Sequence, residues 1–155
     1  MERRFTFGHI LKLAKRIGEQ YDTAVTAQAA AFGLGKPEAD VVLFLSNNPG
    51  KDTARDLTES RGFSKSYVSK ALEPLLRGGY ACIEPDADDR RVQHIQLTEK
   101  AAPPYEALRQ VQDAFFSGLT RDISADELQV IRGALEKMLR NMGLEGPEQT
   151  TQEEP

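Results

Sequence analysis

The sequence predicts a mainly α-helical protein carrying one small β-hairpin, and three observations predict it. Long stretches near both ends place apolar residues three and four apart, the period of an amphipathic helix. The middle holds two short helical patterns, each opened by a hydroxyl residue and joined through Gly62. After Tyr80 the period changes to the alternation Val-Gln-His-Ile-Gln-Leu (92–97), which belongs to a strand. At 155 residues the chain is long enough to bury a core without disulfides or metal.

The first helix is read from Ile10, Leu13, Ala14, Ile17, Tyr21, Ala24 and Val25 and runs to about Phe32. Gly33-Leu34-Gly35-Lys36-Pro37 breaks it, and Pro37 suits the first position of the next helix. Lys36 stands where a Ser or Thr cap is usual, so that start is weakly specified. The second helix, Glu-Ala-Asp-Val-Val-Leu-Phe-Leu-Ser-Asn (38–47), is apolar on most sides and is expected to be buried. Thr53 and Asp56 form a capping box for a short third helix, which Gly62 closes. Ser64 caps a fourth, in which Val68, Leu72, Leu75 and Leu76 make one apolar stripe. Pro74 lies inside that helix and removes a donor to the Lys70 carbonyl, so a kink is expected near Lys70 to Glu73.

Tyr80 to Glu84 and Val92 to Leu97 are the two strands, joined by the polar turn Pro85 to Arg90. Thr98 reads as the cap of a further helix interrupted by Pro103-Pro104. An amphipathic run follows from Tyr105 through Leu108, Val111, Phe115 and Leu119 to Leu139, with a break near Ile123, where Ser124 and Glu127 form another capping box.

The net charge is −4, but its distribution matters more than its sum. Residues 143–155 hold four glutamates and no base, so the remainder is neutral. That tail is expected to be disordered. Between residues 61 and 72, Arg61, Lys65 and Lys70 stand without an acid, and one basic face suffices for a polyanion. Scattered charges and the lack of a cleavage site argue against a signal peptide in the first twenty residues, and no apolar run approaches a membrane span. The single cysteine, Cys82, fits a reducing cytoplasm, which is the expected location.

Buried helix, short capped helix, tight turn, capped basic helix and hairpin, in that order, are a winged helix-turn-helix. In that arrangement the second helix of the pair puts its N-terminal side chains into the major groove of DNA. The candidate contacts on it are Ser64, Lys65, Ser66, Tyr67, Ser69 and Lys70, with Arg90 and Arg91 on the hairpin. The helix start also leaves backbone amides that suit a phosphate. The competing reading of these positions is a solvated helix face. Tyr67 either meets DNA or packs on the bracing helix; Arg55 either meets phosphate or pairs with Asp56 or Glu59.

Residues 52–80 resemble the helix-turn-helix of the MarR family of transcriptional regulators. Residues 88–100, Asp-Asp-Arg-Arg-Val-Gln-His-Ile-Gln-Leu-Thr-Glu-Lys, resemble its wing signature through Asp89, Arg91, Leu97 and Thr98. The resemblance implies an obligate homodimer on double-stranded, pseudo-palindromic DNA, and a repressor or activator whose affinity responds to a small-molecule effector or to oxidation. It also implies that Arg91 enters the minor groove with Asp89 orienting it by a salt bridge. On this reading residues 1–33 are an N-terminal dimerisation helix and 36–100 the DNA-binding lobe, while 101–142 are C-terminal dimerisation helices and 143–155 the acidic tail.

Other chemistries find little support. Cys82 lacks a neighbour that would lower its pKa and is expected as a half-buried strand residue. His9 and His94 are far apart in sequence and give no zinc pattern, and residues 86–89 lack the glycine and the closing glutamate of a calcium loop. The sequence shows no phosphate-binding loop and no nucleophile with a base, so neither catalysis nor a cofactor is expected. A winged-helix module for protein contacts and a sequence-tolerant architectural DNA binder stay open as alternatives.

Overall fold

The computed structural model describes residues 5–144; the expected tail from residue 145 lies outside the described residues. Those residues form six α-helices and one two-stranded antiparallel sheet, a mainly helical winged fold. The chain divides into two compact units between Phe116 and Ser117.

The first unit begins with α1 (Phe7–Ala30), which buries Val25 and Ala29 near its end but leaves Phe7, Ile10, Leu11 and Leu13 exposed. In α2 (Lys36–Asn47) every residue from Ala39 to Phe44 is buried, as its apolar run predicts. Its start differs from the sequence reading. The cap is Gly35, Pro37 sits one residue further in, and the Glu38 carboxylate accepts from the Gly35 N–H. A glycine has no side chain to cap with, so the carboxylate in the first turn satisfies the exposed amide instead.

The bracing helix α3 (Ala54–Arg61) has the expected capping box. Thr53 Oγ1 accepts from the Asp56 N–H at 3.1 Å, and the Asp56 carboxylate accepts from the Thr53 N–H at 2.9 Å. Gly62 ends it at φ 67°, a conformation in which a Cβ would be strained. Thr53→Ala removes one of these acceptors and is expected to lower stability by about 1 kcal/mol, with Thr53→Ser close to wild type. Thermal melting that ranks the serine variant with the alanine variant would count against the cap.

α4 (Lys65–Arg77) opens at Ser64, whose Oγ accepts from the Tyr67 N–H at 3.1 Å, and buries Val68, Ala71 and Leu75. The helix continues through Pro74. That residue is the fourth from the end, so its missing donor frees one carbonyl while the ladder resumes as the Gly78 N–H reaches the Pro74 carbonyl at 2.8 Å.

Strands β1 (Ala81–Pro85) and β2 (Gln93–Leu97) pair with Ile83 opposite Ile95 and Glu84 opposite His94. The hairpin is sewn to the helices at both ends. At its base the Thr98 hydroxyl donates to the Gly79 carbonyl at 2.6 Å, and Lys100 Nζ donates to the Gly78 carbonyl at 2.6 Å. Thr98 holds the N-cap position of the helical turn that follows, as expected, and its carbonyl accepts from the Ala101 N–H, but its side chain ties the sheet to the end of α4 instead of bonding a first-turn amide. Farther out, the Ile95 N–H donates to the Asp52 carbonyl at 2.7 Å, just ahead of α3.

α5 (Ala102–Leu119) contains Pro103 and Pro104 without interruption, because both fall in its first turn, where no intrahelical donor is needed. Pro104 and Leu108 are buried, so much of α5 belongs to the core of the first unit. Tyr21 of α1 meets it through a 2.5 Å hydrogen bond from Gln112 and an edge contact with Phe115.

In the second unit α6 (Ala125–Asn141) starts at Ser124 with the expected Glu127 box. It buries no residue, and Val130, Ile131, Leu135 and Met138 are exposed.

Candidate nucleic-acid interface

The amphipathic stripe of α4 decides which of its side chains face water. With Val68, Ala71 and Leu75 turned inward, Lys65, Ser66, Ser69 and Lys70 are exposed together with the cap residue Ser64. The carbonyl of Ser64 already accepts from Val68, so the helix is hydrogen-bonded from its first residue. The remaining first-turn amides point out of the N-terminus.

Tyr67, grouped with these residues by sequence, is taken up by the scaffold. Its ring lies 4.9 Å from that of Phe63, and its hydroxyl donates to Asp40 Oδ2 at 2.6 Å. Burial first, and then this hydrogen bond, push the Tyr67 phenol well above its ordinary value, so it remains a neutral donor. Asp40 is the one buried charged side chain among the described residues, and Lys36 Nζ holds both of its oxygens at 2.6 Å. Lys36 also reaches Asp22 of α1 at 3.2 Å. The Asp40 carboxylate thus ties α4 to α2, and Lys36, which it holds, ties α2 to α1. The sequence carried a sign of it that the reading missed: a lone Asp within an apolar helix, four residues after a Lys.

Arg55 is exposed and pairs with Glu59 at 2.7 Å, one of the two alternatives open to it. Such a solvent-facing pair is weak enough to exchange partners.

On the wing, Asp89 receives Arg91 three times, from the backbone N–H at 3.0 Å, Nε at 3.1 Å and Nη2 at 3.2 Å. The arginine side chain first, then its backbone N–H, hold the Asp89 carboxyl below its usual range. The Arg91 side chain is 91% exposed, so its guanidinium is oriented yet open to a ligand. Arg90 is exposed at the tip.

The turn that carries these arginines is built on Asp86. Its Oδ1 accepts from the backbone N–H groups of Asp88 and Asp89, both at 2.8 Å, and its Oδ2 contacts His94 Nε2 at 3.0 Å. Read from the sequence, Pro85 to Arg90 is only a polar turn, and nothing in it marks Asp86 for this role. The other ring nitrogen of His94 lies 2.6 Å from Asp52 Oδ1. The structure also corrects the expectation for Cys82, which is exposed on β1. In the pleat its neighbour Ala81 faces the core instead.

Among the described residues no group of three or more His, Cys, Asp or Glu side chains is disposed to hold a metal ion. No helix among them is long and apolar enough to cross a membrane.

A braced helix with an open polar face, flanked by a hairpin tied to both ends of the helix pair, defines the class: a winged helix-turn-helix protein. The sequence profile of the MarR family matches residues 32–92. Among solved structures, a MarR-family transcriptional regulator from Silicibacter pomeroyi is similar at 26% identity and a TM-score of 0.76, over 87% of this chain and 90% of that one. A putative MarR-family regulator from Listeria monocytogenes, crystallised with a 26mer DNA, shares the fold at 15% identity and a TM-score of 0.77, over 85% and 87% of the two chains. The MepR–DNA complex of S. aureus does so at 21% identity and a TM-score of 0.71, over 89% and 99%. The profile match spans the helix-turn-helix and most of the hairpin, and the likeness to these structures is one of fold.

Proposed function

We propose that the chain is a sequence-specific DNA-binding transcriptional regulator that acts in the cytoplasm as a homodimer on a pseudo-palindromic site. The observation that carries this reading is the open face of α4, where Ser64, Lys65, Ser66, Ser69 and Lys70 are exposed beside a wing that presents an oriented Arg91. The serines and lysines supply donors for base edges and phosphates, and Arg91 suits a narrow minor groove. Arg55 reaches phosphate by exchanging Glu59 for it, and Arg90 adds charge at the wing tip. Tyr67 acts from behind, holding α4 in place. A regulator has no need of catalysis, and none is assigned.

A second copy of the chain is the partner that best fits the exposed apolar residues of α1 and those of α6, since a helix apolar on an uncovered face is not stable alone. Two-fold symmetry then sets half-sites roughly 10–10.5 bp apart.

We assign repression relieved by a small-molecule effector as the mode of action. The cavity bounded by Tyr21, Asp40, Phe44, Asn47, Arg61 and Gln112 is polar and about 70 Å³. That is below the roughly 300 Å³ of ordinary ligand sites, so an effector enters only by displacing these side chains. Because Asp40 holds Tyr67, such a displacement reaches α4 directly.

The test is selection of bound fragments from the sheared genomic DNA of the source organism at near-physiological salt. A recovered palindrome of about two helical turns supports the specific regulator. Binding without enrichment points to a sequence-tolerant architectural protein, and no binding to a protein-contact module. On the selected site Arg91→Ala is expected to weaken binding about tenfold and to flatten preference beneath the wing. An unchanged Kd at fixed salt would remove Arg91 from the interface.

A further inference from the structure

The wing arginine is connected to the helix-turn-helix by an unbroken series of contacts. Asp52, ahead of α3, meets one nitrogen of His94 at 2.6 Å; the other nitrogen meets Asp86 at 3.0 Å. Asp86 fixes the N–H groups of Asp88 and Asp89, and Asp89 holds the Arg91 guanidinium. We propose that His94 is a positioning residue for the wing: as an imidazolium clamped between Asp52 and Asp86 it fixes the turn that presents Arg91, and loss of its proton weakens the hold of the wing on DNA. The DNA contact itself rests on the function proposed above.

The chemistry follows from the ring. An imidazolium donates from both nitrogens, one to each carboxylate, whereas neutral imidazole has a single N–H and must turn a lone pair toward the other carboxylate. The charged groups facing His94 are Asp52 from the segment before α3, Asp86 from the turn and, opposite on β1, Glu84, which is engaged by Gln96 at 3.0 Å. All are acidic. The hydrogen bond with Asp52 first, then that with Asp86, raise the His94 pKa to about 8, and His94 in turn is the main cause that holds Asp86 down to about 2. Since the folded value lies above the ordinary 6.5, the clamp is complete below about pH 6.5 and is lost as pH rises through about 8. Neither phosphate diesters nor arginine titrate in that window.

The experiment measures the Kd of the full-length protein for its selected site from pH 6.5 to 9 at constant salt. Wild type is expected to weaken roughly three- to tenfold across that range. His94→Gln is expected to show a flat profile near the high-pH value of wild type, and Asp86→Asn a shallower slope. In an Arg91→Ala background His94→Gln is expected to add less than about twofold, because both changes act through the same guanidinium. A flat wild-type profile, equal slopes in wild type and His94→Gln, or full additivity with Arg91→Ala overturns the proposal. If the protein binds no DNA specifically at any pH, it is the regulator reading that fails, and hydrogen exchange at the Asp88 and Asp89 amides then decides on the clamp. Protection that falls above pH 8 in wild type and is low throughout in His94→Gln supports it; protection indifferent to both overturns it.

Discussion

Leu75→Ala is expected to be among the most destabilising single changes in this protein, lowering stability by about 2–5 kcal/mol. Leu75 is fully buried on the inner stripe of α4, in the cluster that also contains Val41, Val42, Leu57 and Leu108. The change removes several buried carbons and leaves a cavity that helices pinned by caps at Thr53, Ser64 and Gly62 have little freedom to close. In urea the midpoint should fall by about 1 M or more, at protein concentrations held constant across variants because the stability of the proposed dimer depends on them. A loss below about 1 kcal/mol would mean that α4 is not seated on this core as described. DNA affinity should fall with it, since α4 carries both the core stripe and the exposed lysines.

Asp40→Ala is expected to cost about 3 kcal/mol and to weaken DNA binding as well. Asp40 is 5% exposed, and its removal leaves the Tyr67 hydroxyl without its acceptor and Lys36 with only the exposed Asp22. Lys36 keeps some access to water, which limits the loss. Tyr67→Phe, which removes the hydroxyl alone, should lose less. Asp40→Asn keeps an acceptor for Tyr67 but not the charge for Lys36, and is expected to fall between them. If chemical denaturation found Asp40→Ala as stable as wild type, the carboxylate would not be tying α4 to α2. A stability loss with unchanged DNA affinity would separate the fold from the proposed route between cavity and α4.

The elements most legible in the sequence were those specified by neighbours in the chain. Thr53 with Asp56, Ser64 before its stripe, Gly62 at positive φ and Ser124 with Glu127 each act over three or four residues, and each stands where its pattern placed it. The bracing helix, the basic helix and the hairpin followed from these local rules and from the switch of period after Tyr80. Misreadings arose where two local signals competed. Pro37 suits a first helical position and so places Lys36 ahead of the second helix, yet Gly35 with Glu38 sets the start one residue earlier. The pair Pro103-Pro104 reads as a breaker unless the helix is known to begin at Ala102.

What the sequence determined by itself is therefore the order of elements, the face that α4 turns inward, and the set of exposed cations on α4 and the wing. Periodicity and capping are short-range, and they act before any two elements meet. Which polar groups share a site was decided only in the tertiary structure. Asp40 meets Tyr67 across 27 residues, and His94 meets Asp52 across 42. No spacing rule reaches that far, because such pairs exist only once packing of the apolar faces has brought their helices and strands together. Those two contacts turn residues that read as ordinary surface and core into the ones that hold α4 and the wing.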